Sequence, residues 1–140
     1  MVFCFFTHEV KAIAAAMARQ DTVVETITGE TDNAERIATR KRFGDLDGHP
    51  ERIILVAQIR TISLAVNELV TASNAIFGSL SQQRDDWTQA RDRLHRIGQL
   101  WPVTFWYAVV RGTVDEVILN AHQNRLDLET QMLRYLKETA

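Results

Sequence analysis

Short apolar runs alternate along this chain with longer stretches in which apolar residues recur every three or four positions. MVFCFF, residues 1–6, predicts a buried strand. In the THEVKAIAAAMARQ that follows, Val10, Ile13, Ala14 and Met17 share one stripe of a helix. TVVETIT predicts a second strand, ended by Gly29. DNAERIATRKRF places Asp32 and Glu35 at capping-box spacing, so Asp32 caps a helix running to Phe43. Glycines and a proline make Gly44 to Glu51 a loop. RIILVAQI is a third strand whose unbroken apolarity implies burial on both faces, and NAIFGSL is a shorter fourth. DWTQARDRLHRIG predicts a helix with Asp86 and Gln89 at box spacing and Gly98 as its C-cap. PVTFWYAVV is a fifth strand, with Trp106 expected in the core and Trp101, beside Pro102, partly exposed. TVDEVILNAHQNRLDLETQMLRYLKE predicts one long C-terminal helix opening on Thr113 and Glu116. Its Leu126, Leu128, Met132, Leu133 and Leu136 form a stripe that either folds back on the domain or meets a partner.

Strands and helices in alternation, with nearly all-apolar strands, imply a three-layer α/β domain: a mostly parallel sheet of about five or six strands with helices on both faces. The length fits a single domain over residues 1–140, with 113–140 as a helical extension within it. Such sheets bind ligands beyond the carboxyl ends of their strands. Thr28-Gly29, the run from Gln58 to Asn67 and the approach to the QARDRLHRIGQ helix are therefore the segments to watch.

Composition narrows the classes. With 46% hydrophobic and 24% charged residues the chain is too apolar for disorder. A net charge of −2 gives no general attraction to nucleic acid, so any such contact needs a local basic face. The one cysteine, Cys4, has no partner for an intramolecular disulfide and reads as an inert core thiol in a reducing cytoplasm. No apolar run approaches a membrane span, and MVFCFF lacks the basic lead and cleavage site of a signal peptide. His8, His49 and His122 are isolated, without the spacing of a zinc site.

The densest chemistry is QARDRLHRIGQ, Gln89 to Gln99. On a helical wheel with Gln89 at zero, Arg93 falls at about 40° and Arg96 at about 340°, on one flank. Trp87, Ala90, Leu94 and Ile97 gather at about 120°, where they can bury against the sheet, and His95 falls off both faces. Many charge-rich helix faces are simply solvated. Clustered guanidiniums without a carboxylate partner, however, suit a polyanion such as phosphate. ERIATRKRF, with Arg36, Arg40, Lys41 and Arg42, reads more readily as a solvated face than as a phosphate contact.

Gln89, Arg93, Arg96, Ile97, Gly98 and Gln99 match the Gln-x-x-x-Arg-x-x-Arg-Ile-Gly-Gln pattern, and PVTFWYAVVRGTVDEVIL continues it. This resembles motif VI of superfamily-two helicases in its Swi/Snf-type form. MVFCFFTHEVKAI resembles motif IV, ITGETDNAERIATRKRF the strand end and helix after it, and RIILVAQIRTISLAVNELVTASNAIF motif V. The resemblance runs from about Val2 to Leu119 and covers the second RecA-like lobe. It implies that Arg93 and Arg96 act as arginine fingers on ATP, with Gln89, Asn67, Ala65 and Gln99 near the nucleotide. Thr28, Gly29, Gln58, Arg60 and Thr61 would grip a nucleic-acid strand, duplex DNA by the form of motif VI. Ser63 and Ala65 stand where the family has glycines. A left-handed Ala65 would cost roughly 1–2 kcal/mol, which counts against nucleotide contact through that loop.

The chain carries no Gly-Lys-Ser/Thr phosphate loop and no Asp-Glu-x-His/Asp motif. The resemblance therefore implies a separate or preceding first lobe that holds ATP and Mg2+, with this lobe inactive alone. The other reading is a RecA-like module that binds nucleic acid or a partner and no longer couples ATP.

Overall fold

The computed structural model describes residues 1–19, 21–45, 52–64 and 67–139. The elements are β1 Val2–Cys4, α1 Thr7–Met17, β2 Thr22–Ile27, α2 Asn33–Gly44 and β3 Arg52–Gln58, then two 3-10 helices at Ile59–Leu64 and Asn67–Thr71. β4 Asn74–Phe77, α3 Arg84–Leu94, β5 Thr104–Tyr107, α4 Val114–Asn124 and α5 Leu128–Thr139 complete the order. Most of the loop expected at 44–51 lies outside the described residues.

The strands form a parallel five-stranded sheet in the order β2-β3-β1-β4-β5. Right-handed crossovers explain the layers. The step from β1 to β2 runs against all the later ones, so α1 takes one face while α2, the 3-10 pair and α3 take the other. Side-chain alternation follows: Val2, Cys4 and Val56 meet Val10 of α1, whereas Phe3, Leu55 and Phe77 join Phe43, Leu69, Trp87 and Leu94. The expected burial of β3 is met at its centre, where Leu55, Val56 and Ala57 are fully enclosed. Asp32 caps α2 as its spacing implies, accepting from Glu35 N at 2.9 Å.

Three expectations fail. β5 is an edge strand, and α1 lies over β1, β2 and β3 on its face. Trp106 is consequently 56% exposed instead of buried. The helix expected from Asp86 begins earlier, at Arg84 after Gln83, because Asp86 is drawn away from capping. Its carboxylate accepts from Ser81 Oγ at 2.6 Å and Arg60 Nε at 3.2 Å. The long C-terminal helix is two helices. Arg125 turns left-handed at φ 56°, ψ 36°, and Asp127 starts α5 by accepting from Thr130 N at 2.8 Å. α5 folds back beside α4, where the Tyr135 hydroxyl donates to Gly112 O at 3.1 Å. Leu133 and Leu136 remain 54% and 59% exposed.

Candidate functional site

The carboxyl ends of β2, β3 and β1 bring the expected strand-gripping residues together. Gln58 links them: its Oε1 accepts from Gly29 N at 3.0 Å and its Nε2 donates to Phe5 O at 3.1 Å. The Thr61 hydroxyl donates to Gln58 O at 2.7 Å. Thr28 is buried, and its own turn holds it: Thr28 N donates to Thr31 Oγ1 at 2.9 Å and Thr31 N donates to Thr28 O at 3.2 Å. Arg60 is exposed, lying over the Phe5 ring at 5.1 Å and paired with Asp86 at 3.2 Å. Gly29 and Arg60 thus offer surface to a ligand, while Thr28, Gln58 and Thr61 shape the rim beneath.

Three residues that sequence reasoning missed hold this rim. Arg36 donates through Nη2 to Thr28 O at 3.2 Å and Thr31 O at 3.0 Å, stapling the turn from below. The basic helix is therefore not a simple solvated face: Arg36 is half-buried, Arg40 is buried, and Arg42 pairs with Glu25 at 2.6 Å. Asp86 fastens the start of α3. His122, set aside as isolated, is buried with Nε2 2.8 Å from Ser81 O and its ring 4.7 Å from that of Trp87. Asp32 was the available signal for Arg36, since a cap at 32 turns position 36 back over the preceding loop.

The arginine pair is arranged differently from the wheel. α3 ends at Leu94, with His95 as its C-cap at φ −91°, ψ 79°. Arg96 lies in the turn beyond, and Gly98 sits at φ 103°, a left-handed conformation that suits glycine. Nor is the pair at the rim where strands end. α3 runs back against the strand direction, over about 16 Å for its eleven residues. Its start meets Arg60 at the carboxyl rim, while Gln99 beyond its end bonds Ala72 O, just before β4. Even so, Gln89, Arg93 and Arg96 line one hollow of about 190 Å³, together with Asp92. Gln89 and Arg96 are exposed and Arg93 is half-buried. Two guanidinium forks in one hollow suit phosphate oxygens, and Asp92 opposes them. Among the described residues no group of three His, Cys, Asp or Glu side chains could hold a metal.

Gln99 is taken up elsewhere. Its Nε2 donates to Ala72 O at 3.0 Å and Leu94 O at 3.3 Å, and its Oε1 accepts from Trp101 N at 3.1 Å. The amide is thus committed to the turn that carries Arg96 and the exposed Ile97, Leu100 and Trp101. Ala65 lies outside the described residues; Asn67 opens the second 3-10 helix, and its side chain is not among those described.

No family model matches the chain. It is 31% identical over 70% of its length to the chromatin-remodeling ATPase INO80 of Mycosarcoma maydis, of which it covers 5%. It is 28% identical over 91% to the DNA repair protein RAD5 of Cryptococcus neoformans, covering 10%. It is 29% identical over 89% to the SWI/SNF-related matrix-associated actin-dependent regulator of chromatin subfamily A-like protein 1 of Bos taurus, covering 13%. The chain thus spans a small fraction of each of these relatives. Its fold resembles the crystal structure of the C-terminal part of the Fun30 ATPase domain, with a TM-score of 0.76 and 19% identity, over 96% of this chain and 45% of that one.

Proposed function

Because this chain belongs to the Swi/Snf-type superfamily-two ATPases, as a C-terminal RecA-like lobe, we propose that it is the second motor lobe of a DNA-dependent ATPase. The observation that carries this is the hollow shared by Gln89, Arg93 and Arg96 within an intact motif VI. A first lobe, on the same or another polypeptide, binds ATP and Mg2+ and presents the γ-phosphate to that hollow. ATP would supply the γ-phosphoryl group, which passes to water as ADP leaves, and Mg2+ would neutralise charge on the phosphate oxygens. Arg93 and Arg96 place positive charge where negative charge develops as the bond breaks, an effect on the order of 10³–10⁵-fold in rate. Gln89 borders the same hollow.

The rim at Gly29 and Arg60 grips duplex DNA, and closure of the lobes in step with hydrolysis moves it along. Residues 1–140 act as one domain, with 113–140 as its helical extension, in a reducing cytoplasm. No helix among the described residues is long and apolar enough to cross a membrane. The competing reading, a nucleic-acid or partner module without ATP coupling, is favoured by Ser63 and Ala65 in place of the family's glycines.

Combining the chain with its first lobe separates the two. The motor reading expects DNA-stimulated ATP hydrolysis that Arg96→Ala abolishes while ATP binding persists. Parental turnover in both Arg93→Ala and Arg96→Ala removes the finger assignment. The chain alone should bind ATP at millimolar concentration or not at all.

A further inference from the structure

A second basic surface lies on the far flank of α3. Arg84, Arg91 and Arg125 line one groove of about 710 Å³ between α3, β5 and α4, over Phe105 and Tyr107. All three arginines are exposed, and none makes an ion pair among the described residues. Arg42, Arg60 and Arg134, by contrast, each have a carboxylate partner. Asp92 is the opposing carboxylate of the groove, and His95 and His122 also line it. In a chain of net charge −2, three guanidiniums sharing one groove are a local reversal of sign.

Arg125 adds an independent observation. It is the one non-glycine residue with positive φ among those described, at the C-cap where glycine or asparagine is the usual occupant. A strained residue kept where glycine would relax the backbone points to a use for its side chain. Arg84 stands in the first turn of α3, at the same end of the helix as Asp86, the partner of Arg60.

We propose that the Arg84–Arg91–Arg125 groove binds nucleic-acid backbone phosphates, extending the DNA track from the carboxyl rim along the outer flank of α3. This rests on the nucleic-acid reading of the rim. Guanidinium forks match phosphate oxygens bidentately, and Phe105, already under Arg91 at 5.3 Å, steadies one of them.

The test is binding of a labelled 20-base-pair duplex to the full chain by fluorescence anisotropy, across a salt series from about 50 mM upward. Combined Arg84→Gln and Arg91→Gln should weaken binding about tenfold at low salt and reduce the slope of log K against log salt by about 0.9 per lost contact. Arg125→Gly should also lower the slope while its urea midpoint stays level or rises, opposite signs that a purely structural arginine does not give. Arg134→Gln, which removes one positive charge on α5 as Arg125→Gly does at the groove, should bind like the parent. If the groove variants bind like the parent while Arg60→Gln weakens binding, the groove assignment is wrong and the rim reading stands. If the parent fails to bind the duplex at low salt, both fall. If poly-glutamate displaces the duplex from the groove and binds with equal affinity, the ligand is an acidic protein segment and the nucleic-acid assignment is overturned.

Discussion

Gln99 separates two accounts of motif VI most sharply. The family resemblance sets it near the nucleotide, but the structure spends its amide on Ala72 O, Leu94 O and Trp101 N. Gln99→Met keeps the length of the side chain and removes all three bonds. A typical internal hydrogen bond contributes about 1 kcal/mol net. The 3.3 Å bond to Leu94 O counts for less, so the loss is about 2 kcal/mol. For a domain of this size that lowers Tm by about 6 °C and shifts the urea midpoint without changing the m-value. The measurement needs only the chain itself, by circular dichroism with heat and urea. Because the turn also carries Arg96, ATPase activity of the two lobes together should fall with it. An unchanged midpoint alongside a large loss of turnover would refute the pinning role and return Gln99 to the nucleotide.

Arg36→Ala removes both donations beneath the Thr28–Thr31 turn. Charge-assisted bonds at this half-buried site contribute about 1–2 kcal/mol together, and amide exchange at Gly29 and Glu30 should quicken more than that in β3. Equal protection in variant and parent would show that the staple is idle. Burial pushes the Cys4 thiol up to about 11, with the Glu9 carboxylate adding to the shift. A raised thiol value favours the folded state fully below the unfolded value of about 9, and the advantage is lost as pH rises through about 11. Cys4→Ala should therefore flatten the alkaline fall in stability between those values, and the parent thiol should react with a disulfide reagent at pH 8 only after urea unfolds the chain.

Sequence pattern carried β1, β2, β3 and the Asp32 cap because those features are local: an apolar run with turn residues at its end, or a carboxylate three residues before an amide. It misplaced the start of α3 because Asp86 had two possible uses. Its spacing to Gln89 suited capping, but the folded chain gives its carboxylate to Ser81 and Arg60, residues that spacing does not connect to it. Trp106 failed for a related reason. A strand's own residues do not say whether a helix lies over both of its faces, and the crossover directions leave β5 with one face uncovered. The break at Arg125 had a legible half. Asp127 and Thr130 stand at capping distance, a signal for a new helix start, but no glycine or proline marked the stop before it. The arginine pair was picked out by motif, and its place by neither motif nor wheel, because the wheel carried the helix on to Ile97, three residues past Leu94, where α3 ends.

The placement has a consequence for how the lobe works under the motor reading. The DNA rim and the arginine hollow sit at opposite ends of α3, so DNA held at the rim and nucleotide at the hollow do not compete for one pocket. α3 has no glycine or proline, and its first turn carries Asp85 and Asp86 while its last turn carries Arg91 and Arg93, charges that complement the helix dipole. A phosphate at the rim competes with Asp86 for Arg60, an exposed pair of the kind that contributes at most about 1 kcal/mol. Losing that pair leaves Asp86 bonded to Ser81 Oγ at 2.6 Å, so the helix start stays in place. DNA contact at the rim therefore does not by itself move Arg93 or Arg96. If the motor reading holds, stimulation by DNA would come from how the whole lobe is oriented toward an ATP-bearing one, with α3 as a strut and not as a lever within the domain.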